Sequence, residues 1–378
     1  MHRIVYTALA IFLELQVSVS MAHTLLHANI KDLRSSDIGL NSSQMRALKE
    51  LVLSKGITPD VVNIQEIQYD LAVYAAPGGF LEGQNLASLL ALTWPSTARE
   101  LQGTSLFVPS NTGMLARRDE AGRYCLSKEP SGNQINMFAD QQNFGLFPGQ
   151  YSSGLVSRFK QLPGEEVKVL KDLKWREFNQ KLNLSQFAAG SGEPLNPEIQ
   201  LFDKVFYSLP VQIDGKLVHL VSLHTVPYFH FGNARTPNYA RNYDQLRFLS
   251  WYLHGDAQGL EIDAADLWVR YKIKPLPEDA HYVFMGDLNV DIHDRPDSDQ
   301  SKAYDSAKVL HKIIAKSQIP FDPSRVTFDS GRLQKFFDYV IFSKHFKLSN
   351  PRIWDHDKFA KATELSDHHA LTVDFFIP

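Results

Sequence analysis

Apolar and polar positions alternate along the chain in a pattern that predicts interleaved strands and helices. Residues 25–30 form a short apolar run typical of a strand, and residues 61–64 form another. Between them, Ser43 is a candidate N-cap and Gly56 a candidate C-terminal cap of a helix. Its predicted apolar face comprises Met45, Leu48, Leu51 and Val52. A strand, a helix and a strand in this order favour a layered α/β fold.

The rest of the chain continues the alternation. Residues 204–213 and 217–224 are predicted strands joined at Asp214-Gly215, a hairpin signal that implies some antiparallel pairing. Helical periodicity covers residues 238–254 and 302–316. Further strands are predicted at residues 154–159, 281–285, 337–342 and 370–376. No repeat, low-complexity tract or domain linker interrupts the pattern.

Polar side chains recur at the ends of these predicted strands. They are Asn29, Glu66, His224, Asp287, Asn289, Asp338, Asp367 and His368. Because strand ends form rigid platforms in layered folds, side chains placed there can converge on one cleft although they lie far apart in sequence. We therefore expect these residues to form a single site.

The chemistry of this set favours a hard divalent cation. Carboxylate and amide oxygens suit Mg²⁺, which binds through one or two carboxylates together with waters and substrate phosphate. A zinc site would prefer cysteines or several histidines, and the HExxH spacing is absent. The predicted metal is Mg²⁺, with Mn²⁺ as a substitute.

The amino-acid composition and the net charge limit which binding partners are expected. The hydrophobic content of 44% is ordinary for a protein with a substantial core, so disorder is not expected. A formal net charge of -3 argues against a broadly basic surface, and any nucleic-acid contact must be local. Cys125 is the single cysteine, which excludes an intrachain disulfide, and we interpret it as structural.

The first 22 residues have the pattern of an export signal. His2 and Arg3 precede an apolar run over residues 4–13, and Ser20-Met21-Ala22 is a plausible cleavage site. The alternative is a buried first strand or helix. We expect an exported protein, periplasmic or extracellular, whose functional part covers residues 23–378.

Five short segments occur in an order that resembles one known superfamily. They are NIQEI at residues 63–67, LVSLHTVP at 220–227, MGDLNVD at 285–291, FDYVIFS at 337–343 and SDHHAL at 366–371. Together they resemble the endonuclease/exonuclease/phosphatase superfamily, which includes deoxyribonuclease I and neutral sphingomyelinases. The resemblance implies a four-layered α/β sandwich, with two mixed sheets packed face to face and helices outside. It also implies one catalytic domain over residues 23–378.

The resemblance assigns a metal role to several of the strand-end residues. Glu66 is expected to be the principal metal carboxylate, with Asn29, Asp287 and Asp367 as further metal ligands. Asn29 is also expected to touch substrate phosphate. Asp287 and Asn289 are expected to surround the attacking water.

The histidines are expected to take part in proton transfer. His224 matches a phosphate-binding or acid histidine and is expected to assist the leaving group. Asp338 matches an aspartate that orients a catalytic histidine, and Asp367 lies beside His368 in the last motif. The proton of the water is expected to go to Asp287 or to His368, and the sequence leaves this choice open.

Two arginines follow the His224 strand. Arg235 and Arg241 are predicted to bind substrate phosphate, because guanidinium groups suit bidentate phosphate contacts. The alternative is a solvated helix face with ion pairs. The stretch is similar to one in secreted bacterial members of the superfamily.

The function expected from these features is metal-dependent hydrolysis of a phosphoester. The substrate can be a small molecule, a phospholipid or nucleic acid, and no stable protein partner is implied, so a monomer is expected. A nuclease would need a local basic groove, for which Arg117, Arg118, Arg235 and Arg241 are the candidates.

Two alternatives remain beside a simple phosphodiesterase or phosphatase. A sphingomyelinase-like enzyme would need exposed aromatic contacts with the membrane, and Trp94, Phe229 and Phe231 are the candidates. A catalytically silent binding module would be expected to lose the metal glutamate, the GDLN segment or the final histidine. The sequence retains all three.

Overall fold

The computed structural model describes residues 22–40, 42–69, 83–101, 103–230, 233–354 and 366–378 of the 378-residue chain. The predicted export signal therefore lies outside the described residues, except for its last position.

The strands follow the predicted apolar runs and extend several of them. They are β1 (His23–Leu33), β2 (Val61–Ile67), β3 (Thr104–Phe107), β4 (Ser152–Ser157), β5 (Lys168–Leu170), β6 (Phe206–Ile213), β7 (Lys216–Ser222), β8 (His281–Asp287), β9 (Phe328–Asp329), β10 (Gln334–Lys335), β11 (Asp338–Phe342), β12 (Lys347–Trp354) and β13 (Ala370–Phe376).

The α-helices lie between these strands. They are α1 (Ser35–Gly39), α2 (Ser43–Lys55), α3 (Gln84–Thr93), α4 (Ala98–Leu101), α5 (Gly132–Phe138), α6 (Trp175–Phe178), α7 (Asn238–His254), α8 (Ala264–Tyr271), α9 (Asp299–Ala303) and α10 (Ser306–Ala315). Helix α2 begins one residue earlier than predicted, because Ser42 rather than Ser43 is the N-cap and accepts a hydrogen bond from the Met45 N–H. It ends at Gly56, as predicted, in the left-handed conformation.

The predicted helix over residues 302–316 is divided in the structure. Helix α9 ends at Ala303 and α10 begins at Ser306, with Asp305 as the N-cap that accepts from the Lys308 N–H. An aspartate between two apolar stretches offers the backbone a cap, and this local bond competes with a continuous helix.

Two mixed sheets form the centre of the fold. In the first sheet the strand order is β12-β13-β1-β2-β4-β3, and β1 and β2 pair in parallel. In the second the order is β11-β8-β7-β6-β5, and β7 and β8 pair in parallel. The hairpin at Asp214-Gly215 joins β6 and β7 in antiparallel register, with Ile213 opposite Lys216.

Alternation along β1 and β2 decides how the layers pack. Leu25 and Val61 face the second sheet, in a cluster with residues of β6, β7, β8, α7 and α10. Their neighbours Leu26 and Val62 face the other way, onto α2 and α3. The layers are therefore helices, sheet, sheet and helices, which confirms the predicted α/β sandwich of two mixed sheets.

Candidate active site

The ends of β1 and β2 are irregular where the site begins. The register between the two strands shifts between Asn29 and Leu33, and the register of β2 with β4 shifts between Gln65 and Ile67. Lys31, Asp32 and Glu66 have positive φ angles of 43°, 51° and 61°. Such left-handed conformations are unfavourable for these residues and concentrate at functional sites.

Asn29 joins two carboxylates of the site. Its Nδ2 donates to Glu66 Oε1 and to Asp287 Oδ2, each at 3.1 Å. Its Oδ1 accepts from the Lys31 N–H at 3.1 Å, which fixes the orientation of the amide. The second oxygen of Glu66 accepts from the Asp32 N–H at 3.2 Å. The irregular end of β1 thus supplies donors to both oxygens of Glu66.

Asp287 ends β8 and is held from several sides. Its N–H donates to Gln65 Oε1 at 2.9 Å, and its Oδ1 accepts from the Asn289 N–H at 2.8 Å. Asn289 has a φ of 51°, and its Nδ2 donates to the Thr225 carbonyl at 3.1 Å. Gly286 is required beside it, because a Cβ there would lie 1.9 Å from the Leu223 carbonyl oxygen.

His224 lies between the two acids. Its Nε2 is 3.3 Å from Asp287 Oδ2 and 3.9 Å from Glu66 Oε1. Burial, together with the positive charge of Lys204, holds the pKa of His224 well below its usual value. A neutral imidazole can donate from Nε2 but has no positive charge to neutralise the acids.

His368 forms a buried pair with Asp338, not with its neighbour Asp367. Nδ1 of His368 lies 2.8 Å from Asp338 Oδ2, and Nε2 lies 3.7 Å from Asp287 Oδ2. Burial opposes the charge of His368, but Asp338 and Asp287 raise its pKa above the usual value. Burial likewise disfavours the charge of Asp338, yet His368 and His27 hold the pKa of this carboxyl below its usual value.

A polar chain continues behind Asp338 into the space between the sheets. His27 Nε2 lies 3.2 Å from Asp338 Oδ1, and Asn63 Nδ2 lies 2.9 Å from His27 Nδ1. Ser222 Oγ in turn donates to Asn63 Oδ1 at 2.8 Å. His27, Asn63 and Ser222 are fully buried, so the chain links both sheets to the site within the core.

Lys204 places a buried cation beside the same cleft. Its Nζ donates to Asp203 at 2.9 Å and lies 3.5 Å from the Thr225 carbonyl, which also accepts from Asn289. Sequence reasoning missed this residue because it considered acids, amides and histidines at the carboxyl ends of strands. Lys204 precedes β6, whose start lies beside the end of β7 because these strands are antiparallel, with Tyr207 opposite Ser222.

The acids of the region differ in how their charges are balanced. Four of them each have a cation of their own, in the pairs Asp32–Arg34, Asp203–Lys204, Asp338–His368 and Asp367–Lys31. Among the described residues, Glu66 and Asp287 have no lysine or arginine within ion-pair distance. Burial raises the pKa of both carboxyls. His368 and Lys204 offset part of this effect, and a bound cation would stabilise the charged form of both carboxylates further.

A divalent cation fits this requirement. Glu66, His224 and Asp287 each offer one ligand atom, and these atoms lie within 4.8 Å of one another. Two carboxylate oxygens completed by waters match the coordination that Mg²⁺ prefers. Asn29 presents Nδ2 and not Oδ1 to these carboxylates, so the structure does not place its oxygen as the predicted metal ligand. The donor set therefore agrees with a metal role for Glu66 and Asp287.

Two other residues predicted for the site have partners in the chain. Asp367 Oδ2 lies 3.0 Å from Lys31 Nζ, yet its charge still acts on Glu66 and His368, so it lies at the edge of the site. Arg235 is exposed and donates to the Ser185 and Gln186 carbonyls. The structure does not bring Arg235 into contact with the carboxylates.

The prediction that Arg241 binds substrate does not agree with its position. Only 2% of the residue is exposed. Its guanidinium donates to the carbonyls of Leu201, Gln200 and Gln142 and to Asn143 Oδ1. A guanidinium whose donors serve buried oxygens ties loops to α7 and has no free edge for phosphate.

The structure also changes which of the predicted aromatic residues could contact a membrane. Trp94 is 3% exposed and donates from its indole to the Ile57 carbonyl, so it belongs to the core. Phe229 is 42% exposed, and Phe231 lies outside the described residues. Arg118, a candidate for a basic groove, donates to the Gly122 carbonyl and the Tyr124 hydroxyl.

The chain is similar to several solved structures of bacterial proteins. An endonuclease/exonuclease/phosphatase from Beutenbergia cavernae is similar with a TM-score of 0.54 and 16% identity, over 94% of this chain and 72% of that one. A family protein from Leptotrichia buccalis has a TM-score of 0.48 and 14% identity, over 93% and 98%. Sphingomyelinase C from Streptomyces griseocarneus has a TM-score of 0.42 and 15% identity, over 94% and 99%. No curated protein matches the chain.

The sequence itself carries the family assignment. Residues 33–368 match the Endonuclease/Exonuclease/phosphatase family, whose members are metal-dependent hydrolases of phosphoesters. This match covers most of the described chain and includes Glu66, His224, Asp287 and Asp338. The chain therefore belongs to the endonuclease/exonuclease/phosphatase family.

Proposed function

We propose that the protein is an exported, Mg²⁺-dependent phosphoester hydrolase. The observation that carries the proposal is the pair of buried carboxylates, Glu66 and Asp287, which share the Asn29 amide and have no lysine or arginine partner among the described residues. Mn²⁺ would be expected to substitute, since both ions accept carboxylate and amide oxygens. Export rests on the sequence pattern of residues 1–22.

The cation would be held by Glu66 and Asp287, with His224 and Asn29 beside them. When bound, such a cation neutralises phosphate charge and lowers the pKa of a coordinated water. Asn29 and the Asp32 N–H keep Glu66 in place, so the carboxylate needs little rearrangement to accept a ligand.

The substrate phosphate would lie against the donors of the cleft. Asn289 and Lys204 both point to the Thr225 carbonyl, so an amide and an ammonium lie side by side. Donors positioned before the reaction stabilise the extra negative charge of the transition state. Lys204 is also close enough to lower the pKa of Glu66, against the opposing effect of burial.

Asp287 and His368 both take part in the transfer of the proton from the attacking water. Because Asp338 occupies Nδ1 of His368, Nε2 is the ring atom that faces Asp287 and the cleft. The fixed ring places this nitrogen 3.7 Å from Asp287 Oδ2. Because the pKa of His368 is raised, the imidazole keeps its own proton, and Asp287 is the group that can accept the proton of the water. Asp338 holds the orientation of the imidazole throughout.

The substrate class that we favour is a small or lipid phosphoester. Two of the arginines required for a basic nucleic-acid groove, Arg118 and Arg241, already donate to oxygens of the chain. The net charge of -3 provides no compensating positive surface. A silent binding module is disfavoured because the acids, amides and histidines of the cleft are present and converge.

A substrate panel with matched variants tests the proposal. Bis-p-nitrophenyl phosphate, p-nitrophenyl phosphate, a phospholipid and DNA are each incubated with Mg²⁺ or with EDTA. Hydrolysis should require the metal and fall by at least about a hundredfold in Glu66→Gln, because a principal ligand is lost. Glu129→Gln, at an exposed position, should leave activity unchanged.

Calorimetric titration of Mg²⁺ and Mn²⁺ gives a readout that does not depend on substrate choice. Wild-type protein should bind, and Glu66→Gln should bind much more weakly. Hydrolysis that persists in EDTA and in Glu66→Gln would contradict the proposed site.

A further inference from the structure

An exposed tryptophan lies on the outer surface, away from the cleft. Three of the five tryptophans, Trp94, Trp175 and Trp251, are buried, and Trp354 is half-buried. Trp268 in α8 is 44% exposed, and its neighbour Val269 is 66% exposed. Leu267 is fully buried and anchors the same helix to the core. Helix α8 therefore presents a rigid apolar pair to solvent.

Three lysines surround this indole. The ammonium groups of Lys274, Lys272 and Lys168 lie 5.5, 5.8 and 6.0 Å from the ring centroid. Lys168 pairs with Glu166, whereas Lys272 and Lys274 form no ion pair with any described residue. Like charges gathered around one ring repel each other, and an anionic partner would relieve that repulsion.

We propose that this surface, consisting of Trp268, Val269, Lys168, Lys272 and Lys274, docks on an anionic phospholipid bilayer. Tryptophan prefers the boundary between hydrocarbon and headgroups, and the adjacent valine adds apolar area. Lysines around them are attracted to negatively charged headgroups. The partner is identified by this combination of apolar and positively charged groups on one exposed surface.

The same geometry disfavours a nucleic acid as the partner. Stacking of a base needs a free aromatic face, but the lysine ammonium groups already lie around this ring. Val269 offers nothing to a phosphate backbone. Among the described residues no helix is long and apolar enough to cross a membrane, so the contact would be peripheral.

The docking surface is separate from the catalytic cleft. Lys168 lies on β5, at the edge of the second sheet, and Asp287 ends β8, three strands away in the order β8-β7-β6-β5. At an interstrand spacing of ~4.8 Å this is about 14 Å. Bilayer binding can therefore be measured without metal or hydrolysis, and its outcome is independent of the proposed function.

Vesicle sedimentation in EDTA tests the proposal. The full chain is mixed with vesicles of phosphatidylcholine alone or of phosphatidylcholine with phosphatidylglycerol. Binding should require the anionic lipid and weaken at high salt. Lys272→Gln with Lys274→Gln should weaken binding by about fivefold for each lysine removed. Trp268→Phe should abolish the blue shift of tryptophan emission, because the indole that enters the headgroup region is then absent.

A matched control removes the same charge elsewhere. Lys316 and Lys344 are exposed and form no ion pair among the described residues, so Lys316→Gln with Lys344→Gln should bind vesicles as wild type does. Equal binding to both vesicle types, equal loss in both double variants, or binding of single-stranded DNA without vesicle binding would each overturn the proposal. A urea unfolding curve that is unchanged in the Lys272/Lys274 variant would show that the variant is folded.

Discussion

Lys204 shows how much one side chain can contribute to this site. It is 6% exposed, pairs with Asp203 and lies beside the Asn289 amide that faces the cleft. Its charge also contributes to keeping His224 neutral, second to burial. Its pairing with Asp203 offsets the cost of burying the ammonium, so the charge is held in a fixed position beside the cleft.

Replacement of Lys204 should reduce catalysis more than stability. We expect Lys204→Gln to lower kcat/KM by about a hundredfold, because a preorganised positive donor is lost. The variant leaves Asp203 buried without its cation, so Asp203→Asn/Lys204→Gln serves as the control. Recovery of thermal stability without recovery of kcat/KM would support the assignment, whereas recovery of both would contradict it.

We expect variants of Arg241 and Arg235 to differ in their effect on the stability of the protein. Arg241→Gln should destabilise the protein by ~3 kcal/mol, because buried carbonyl oxygens lose their donors. Its kcat/KM, measured on folded protein, should stay near wild type. Arg235→Gln should leave the urea unfolding curve nearly unchanged, since Arg235 is exposed. A large loss of kcat/KM in stable Arg241→Gln would restore its predicted role in substrate binding.

At the scale of elements, the ends of β1 and β2 decide the site. Both strands lose regular pairing there, and the irregular backbone turns Glu66 toward Asn29 and Asp287. The regular part of the same strands carries the polar chain of His27 and Asn63 between the sheets. One pair of strands therefore supplies both a metal carboxylate and the support for the Asp338–His368 pair.

Variants of His27 test this link between the sheets. His27→Leu removes the donor to Asp338 Oδ1 and should lower kcat by about 10- to 100-fold with little change in KM. His27→Gln keeps a donor amide and should recover part of kcat. Unfolding by urea gives the stability of both variants. If kcat falls equally in both while stability also falls equally, the effect of His27 is on packing alone.

At the scale of the whole molecule, two half-buried histidines contribute to the response of stability to acid. Burial, together with the charge of Lys168, lowers the pKa of His219 from 6.5 to about 4. Burial likewise lowers the pKa of His254 to about 4. Between pH 6.5 and 4 the unfolded chain binds more protons at these positions than the folded chain does. These residues therefore reduce stability as the pH falls through this window, and have no further effect below it.

In His219→Gln, the free energy of unfolding should decrease less steeply as the pH falls. Each such histidine contributes at most ~1.4 kcal/mol per pH unit in the window. The free energy of unfolding, measured with urea at pH 7.5, 6 and 5, should fall less steeply in the variant than in wild type. Parallel curves would show that His219 does not titrate on unfolding in this range.

Sequence reasoning reached the architecture because its signals were local. The apolar runs of β1 and β2, the caps around α2 and the hairpin at Asp214-Gly215 are each encoded within a few residues. The elements that were missed, such as β5 and β12, are short or lie at sheet edges with little apolar pattern. Their pairing depends on neighbours that are distant in the chain, which a local pattern does not contain.

The sequence by itself determined the order of strands and helices, the family and the set of chemically capable residues, because periodicity and motif order are properties of the chain. Only the tertiary structure decided which side chains contact each other and which are buried. It paired His368 with Asp338 rather than Asp367, buried Arg241, brought Lys204 to the cleft and exposed Trp268. Burial and ion pairing depend on which distant segments meet, and that is fixed only when the two sheets pack.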